Sequence, residues 1–388
     1  MAENSEKPKK KKSGKITTFF FIFSLAIVAV IAITEFSGNK DRHLESTDFN
    51  VWFLFGAIGC FLVALFCETV KYAHLLKGKG IKNRWKLGFT DAVIGKYYDN
   101  ITPAGAGGQG FQMYHLKKNG CDFGTAGGLP IIGFMGLQFA FVFVGVLTMI
   151  FGNGLIDKEM VVLKVTAIAG LIFYAFIPMC IVFFIIAPKP LEAIVRWATR
   201  LLARIHIVKD PDTAVKNAIG SLQAYTAVLR SFSRQGSQIV FVFVVSLIYQ
   251  LALMCMPWFV LRFFGADIAF LPCFCKVVYV YAAITLVFTP GNSGAAEASF
   301  YMVFSTLKGG AIFWGMLVWR GLCFYSWILL GAIVQSCERI RDRKAEAREA
   351  AGGKAAECEQ TAVNAQIAGG IGTDSADEMK QAGIAEYK

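Results

Sequence analysis

Several stretches of this chain run for about twenty residues or more with almost no polar side chains, and nothing else in the sequence constrains the fold as strongly. Thr125 to Phe151 has no charged residue at all, and Val161 to Ala187 has only Lys164. An α-helix rises 1.5 Å per residue, so ~20 apolar residues cross a hydrocarbon layer of ~30 Å. The runs are continuous rather than alternating, which selects helices over a β-barrel. The expected fold is an all-α polytopic membrane protein.

Six full transmembrane helices are expected, over Ile16–Thr34, Phe49–Val70, Thr125–Phe151, Val161–Ala187, Ile239–Val260 and Ala311–Ser336. The first is too long in its apolar part for a secretory signal and lacks an Ala-x-Ala-like cleavage site, so it reads as a retained span. Loop charges orient the set. Residues 1–15 are rich in lysine and read as a cytoplasmic N-terminus, and the loop from Lys71 to Lys86 is also strongly basic. Glu35 to Asp48 is acidic and suits the outside. Glu338 to Lys344 is basic again, so residues 337–388 read as a cytoplasmic tail, disordered because it has few aromatic residues. The resulting expectation is a multi-pass protein of the cell membrane with both termini in the cytoplasm.

The net charge of +12 fits basic loops that hold topology, and no soluble domain is present to carry nucleic-acid binding. Cysteines are scattered through apolar runs, without the spacing of a metal site or a disulfide framework. No cofactor is expected.

Two segments break the apolar pattern. Leu87 to Met113 contains Lys96, Asp99 and Asn100, then Thr102-Pro-Ala-Gly-Ala-Gly-Gly-Gln109. Basic loops flank it on both sides, so it is expected to leave and return to the cytoplasmic face as a re-entrant hairpin. The second break, Thr289-Pro-Gly-Asn-Ser-Gly-Ala-Ala-Glu297, lies between Ile268–Phe288 and a short helix ending near Leu307. Either it is the tip of a second hairpin, entered from outside, or it joins two full spans and raises the count to eight. The matching Thr-Pro-x-x-x-Gly pattern favours two oppositely oriented re-entrant hairpins, the pattern of a transporter site near the midplane.

Between spans, Lys189 to Gln235 reads as two amphipathic helices on the cytoplasmic face. Arg196, Arg200 and Arg204 flank an apolar stripe, and Asp210-Pro211-Asp212 supplies a cap, a first-position proline and an acid at the second start. Glu68 reads as an interfacial carboxylate facing Lys71 or the basic loop, with a buried functional role as the alternative. Lys96 and Lys276 read as snorkelling side chains.

A broken helix leaves backbone N–H groups unpaired and a partial positive charge at the new N-terminus. Two such ends facing one another favour an anion, which inside a membrane means a phosphate-bearing headgroup. Glu297 and Arg320 are charged at mid-membrane depth, where an unpaired charge costs about 2.5–3.5 kcal/mol or more, so each is expected to pair with the other. Candidate substrate-binding residues are Pro103, Gly107, Gly108, Gln109 and Tyr114 at the first break, and Pro290, Gly291, Gly294 and Glu297 at the second, with Arg320. The four histidines, at 43, 74, 115 and 206, fall in loops or near span ends, and no catalytic constellation or ATP-binding loop is evident.

Pro103-x-x-x-Gly107-Gly108-Gln109 with Leu116 and Gly120, and Thr289-Pro-Gly-x-x-Gly-x-x-Glu297, resemble the two signatures of the flippase-like family. That family includes the membrane domain of lysylphosphatidylglycerol synthetases. Arg320-x-x-x-x-Tyr325 followed by Gly331 resembles its last span, and the resemblance covers about Ile16 to Gln335. Gln109 stands where the family often has Glu, and Asn292-Ser293 replaces a more glycine-rich run. The resemblance implies movement of lipid between leaflets, with a phospholipid, aminoacylated phosphatidylglycerol or a polyprenyl-phosphate lipid as substrate. Two rivals remain, a membrane enzyme modifying such headgroups and an accessory subunit anchoring a separate lipid-modifying synthetase. Nothing in the sequence opposes an oligomer.

Overall fold

The computed structural model describes residues 49–102, 105, 107–157, 160–204, 211–307 and 309–344. The first expected span, the basic N-terminus, most of the tail, Asp210 and Pro103 lie outside these residues. Every described element is helical. In chain order they are α1 (Val51–Leu75), α2 (Arg84–Ile101), α3 (Gly108–Lys118), α4 (Phe123–Phe151), α5 (Val161–Ile186), α6 (Pro188–Arg204), α7 (Pro211–Ser233), α8 (Gly236–Phe263), α9 (Phe270–Ile284), α10 (Ala295–Val303) and α11 (Gly309–Arg320). A π-turn over Gly321–Tyr325 follows α11.

Among the described residues, five helices are long and apolar enough to cross a membrane: Val51–Leu75, Phe123–Phe151, Val161–Ile186, Gly236–Phe263 and Gly310–Lys344. They match the five expected spans that fall in the described residues. The chain is a polytopic helical membrane protein. The last of these helices extends past Ser336, so the basic run expected to open the tail is helical up to Lys344. Beyond Ala332, Arg341 pairs with Glu338.

Local chemistry sets the helix starts. Asn50 Oδ1 accepts a hydrogen bond from Trp52 N at 3.2 Å, Asn83 Oδ1 from Lys86 N at 3.2 Å, and Asp122 Oδ2 from Thr125 N at 2.9 Å. Each satisfies one of the unpaired N–H groups of a first turn. Thr125 also draws the Asp122 carboxyl below its ordinary pKa by hydrogen bonding.

In the bundle, α1 packs along α8, and α4 packs against α8 and α7. Helix α5 lies along α9, and α2 folds back on α3. A core of Tyr72, Leu76, Leu116, Ala126, Leu129 and Val242 ties α1, α3, α4 and α8 together. Helix α6 is strongly amphipathic, as its sequence pattern requires, yet Ile194, Trp197 and Leu201 on its apolar stripe are exposed. Those positions are one and two turns apart, so they form one face suited to lie in a membrane interface.

Candidate functional site: a polar cavity between the two breaks

The first break joins α2 to α3. Thr102 Oγ1 donates to Tyr98 O at 2.7 Å and accepts from Gly107 N at 3.0 Å. Asp99 Oδ1 accepts from Gly108 N at 3.0 Å, capping the half-helix that restarts there. Gly105 takes φ +62° to turn the chain. A carboxylate from the helix before the break thus caps the helix after it.

The second break joins α9 to α10 through stacked tight turns. Asn292 N donates to Thr289 O at 3.0 Å and Ser293 N to Pro290 O at 3.2 Å, while Thr289 Oγ1 donates to Ser293 O at 2.9 Å. Gly291, Asn292 and Gly294 all have positive φ. Here the capping carboxylate comes from the following helix, because Glu297 Oε2 accepts from Gly294 N at 2.5 Å. Its other oxygen lies 2.5 Å from Arg320 Nε. Arg320 is 4% exposed; its Nη1 donates to Gly291 O at 3.2 Å and its Nη2 to Ser293 Oγ at 2.7 Å. The expected Glu297–Arg320 pair is therefore present, and it staples the second break to α11.

Both breaks line one cavity of about 470 Å³. Gly105 and Gln109 come from the first break, Gly291 and Asn292 from the second. Helix α2 presents Ala92, Gly95, Lys96 and Asp99 to the cavity, positions spaced for a single helical face. Helix α1 adds Glu68 and Tyr72, α3 adds Gln112, α4 adds Gln138, and α8 adds Tyr249. Four lining residues are charged: Glu68, Lys96, Asp99 and Arg320. Glu68 is 2% exposed and pairs at 2.6 Å with Lys71, which is fully buried and also donates to Gly133 O at 3.3 Å.

The family model described as the lysylphosphatidylglycerol synthase TM region matches residues 20–331. The chain belongs to that family. No curated protein matches it at a significant level. The span matched to the lysylphosphatidylglycerol synthase TM region contains both breaks and every residue lining the cavity, and membership ties the chain to membrane lipids.

Within this member of the lysylphosphatidylglycerol synthase TM region family, the candidate residues divide into groups. Gln109, Gly291 and Arg320 line the cavity; Gly107, Gly108, Gly294 and Glu297 build the two turns behind it, and Pro290 accepts in the second turn. Tyr114 is not among the lining residues and is 57% exposed, because it sits on the face of α3 turned from α2.

Two expectations need correcting. Lys96 does not snorkel to an interface; it lines the cavity with its ammonium 4.7 Å from the centre of the Tyr249 ring. His115 is not in a loop but in α3, where it is buried with Nδ1 3.1 Å from Asp91 Oδ1. Glu68 faces Lys71 as expected, and both are buried. Tyr72 Oη donates to Gln112 Oε1 at 3.3 Å and Gln112 Nε2 to Asp91 O at 3.1 Å, so α1, α2 and α3 are bonded together beneath the cavity. Lys276 pairs at 3.0 Å with Asp157 in the α4–α5 connection.

Proposed function

We propose that this protein moves the headgroup of a phosphate-bearing membrane lipid between leaflets, through the cavity that its two broken helices share. The observation that carries this reading is the convergence itself. Two glycine-rich breaks about 190 residues apart in sequence line one polar space. A cavity of about 470 Å³ suits a headgroup rather than a whole lipid, whose acyl chains would stay in the bilayer. Aromatic walls from Tyr174, Tyr249, Tyr281, Trp319 and Trp327 combine apolar surface with polar edges.

In this reading the two interrupted segments are re-entrant hairpins entered from opposite faces, in the cell membrane. Rocking of one part of the bundle against the other exposes the cavity to each leaflet in turn, as opposed broken helices do in other transporters. The polar walls stand in for lost hydration, which otherwise makes carrying a charged headgroup through hydrocarbon prohibitive. Aminoacylated phosphatidylglycerol, plain phospholipid and polyprenyl phosphate all fall within this class.

The test is reconstitution of purified protein into liposomes with a fluorescent phospholipid, with the outer-leaflet label destroyed by a membrane-impermeant reductant. Transport predicts that the protected fraction falls well below half; a fraction unchanged from protein-free vesicles, for every headgroup tried, overturns the reading. A covalently altered lipid in the same vesicles, found by mass spectrometry, favours a membrane enzyme instead.

A further inference from the structure

We infer that Lys96, and not Arg320, is the residue that holds the phosphodiester of the lipid in the cavity. This rests on the transport reading for its context, but its argument is about which charges are already committed. Arg320 has its guanidinium engaged by Glu297, Gly291 O and Ser293 Oγ. Those bonds fix the second break, and releasing them for a ligand leaves Glu297 buried without its counter-charge. Glu68 is likewise committed to Lys71.

Two lining charges remain, Lys96 and Asp99, three residues apart on one face of α2. Asp99 spends one oxygen on Gly108 N. Lys96 makes no ion pair among the described residues; Tyr249 covers it with a ring, while Glu68 and Asp99 act on it only through space. A cation lining a cavity without a bound carboxylate is a ready site for an anion. An aromatic face beside the ammonium helps hold it in place without neutralising it.

A second, independent group points the same way. Gln138, on α4, lines the cavity and is 2% exposed, and its side-chain oxygen has no hydrogen-bond partner among the described residues. An amide can turn either its oxygen or its N–H₂ toward a ligand. With N–H₂ inward it donates to a phosphate oxygen; with oxygen inward it accepts from a headgroup hydroxyl or ammonium. Lys96 and Gln138 together suit a phosphodiester flanked by hydrogen-bonding substituents.

The experiment uses wild-type protein in detergent and an amine-reactive reagent, with labelling at Lys96 read by peptide mass spectrometry. Phosphatidylglycerol should protect Lys96 at least about tenfold, the effect of 1.4 kcal/mol. Diacylglycerol, which keeps the tails and lacks the phosphate, should not protect it. Equal protection by both lipids, protection by inorganic phosphate but not by phosphatidylglycerol, or protection by neither lipid overturns the assignment.

Variants supply a second readout. Lys96→Gln should lose about tenfold or more in phosphatidylglycerol affinity while keeping the wild-type melting temperature, and Lys96→Arg should recover most of it. Wild-type affinity in Lys96→Gln sinks the proposal. Vesicle transport separates the two claims: lipid movement undiminished in Lys96→Gln removes Lys96 and leaves transport standing. Lys96-dependent binding without any movement removes transport and leaves the phosphodiester site.

Discussion

The two breaks solve one problem with opposite wiring. Each carries a Thr-Pro pair in its sequence, turns on positive-φ glycine, and caps the restarting half-helix with a carboxylate. At the first, the carboxylate is Asp99, upstream of the turn and facing the cavity. At the second it is Glu297, downstream of the turn and held by Arg320 behind the cavity wall. The first break thus leaves its charge facing the cavity, and the second spends its charge on structure. Under the proposed function, two motifs that look alike in sequence divide the labour between recognition and rigidity.

That division predicts unequal damage. The largest effect should come from Glu297→Ala, which removes the α10 cap and leaves Arg320 buried with only neutral acceptors. Breaking a buried pair from one side costs about 3–5 kcal/mol, so the variant should lose its cooperative melting transition in detergent. Asp99→Asn, at the first break, keeps an oxygen for Gly108 N and should change the melting temperature little while altering lipid binding. If Asp99→Asn unfolds the protein as badly as Glu297→Ala does, the contrast between the breaks collapses.

Next in size is Gly291→Ala. A Cβ there meets the Phe324 ring at 2.0 Å and the backbone sits at φ +58°. Overpacking of this kind costs about 1–3 kcal/mol, and Phe324→Leu should recover part of it. Gly105→Ala has only Asp99 O nearby, at 3.8 Å, so it should suffer the left-handed backbone penalty alone, about 1–2 kcal/mol. Paired thermal melts of the two alanine variants check the order.

The smallest effect, and a control outside both breaks, is Asp122→Ala at the start of α4. Loss of a cap costs about 1 kcal/mol. Because its folded pKa lies below the ordinary value, Asp122 contributes fully above the usual carboxylate range and loses that contribution as pH falls through the lowered value. The gap between wild type and Asp122→Ala should be full at neutral pH and close in strong acid. A gap that grows on acidification rules the cap out.

Most of the architecture was legible because a bilayer leaves few choices. Long apolar runs had to be helices, and all five in the described residues are. The two breaks and the Glu297–Arg320 pair were legible for the same reason, since glycine runs and charges stand out against hydrocarbon. Asp99 was read as part of the polar interruption and not as a cap, because its partner Gly108 is nine residues away across a turn. Its signal was present in the spacing of Ala92, Gly95, Lys96 and Asp99, which lays small and charged residues along one helical face. Asp91 and His115 were less accessible still. His115 sits in the last turn of α3, where polar residues are ordinary, Asp91 lies in the middle of α2, and only the fold-back of α3 on α2 brings them together. Tyr114 is one residue from His115 on a helix, about 100° around the axis, so it is exposed while His115 is buried.

The π-turn after Arg320 has a consequence for how this protein tolerates change in length. Such a turn holds one residue more than an α-turn. Deleting one residue from Gly321 to Tyr325 would restore a regular helix with little net rotation, because five residues wound as a π-turn carry the chain about as far round as four wound as an α-turn. Trp327, whose ring meets Phe61 of α1 edge-on at 5.4 Å, would keep its bearing on that contact and on the cavity wall. A one-residue change elsewhere in the same helix would instead turn everything beyond it by about 100°. Among related chains, single-residue insertions and deletions in this helix should therefore gather at these five positions.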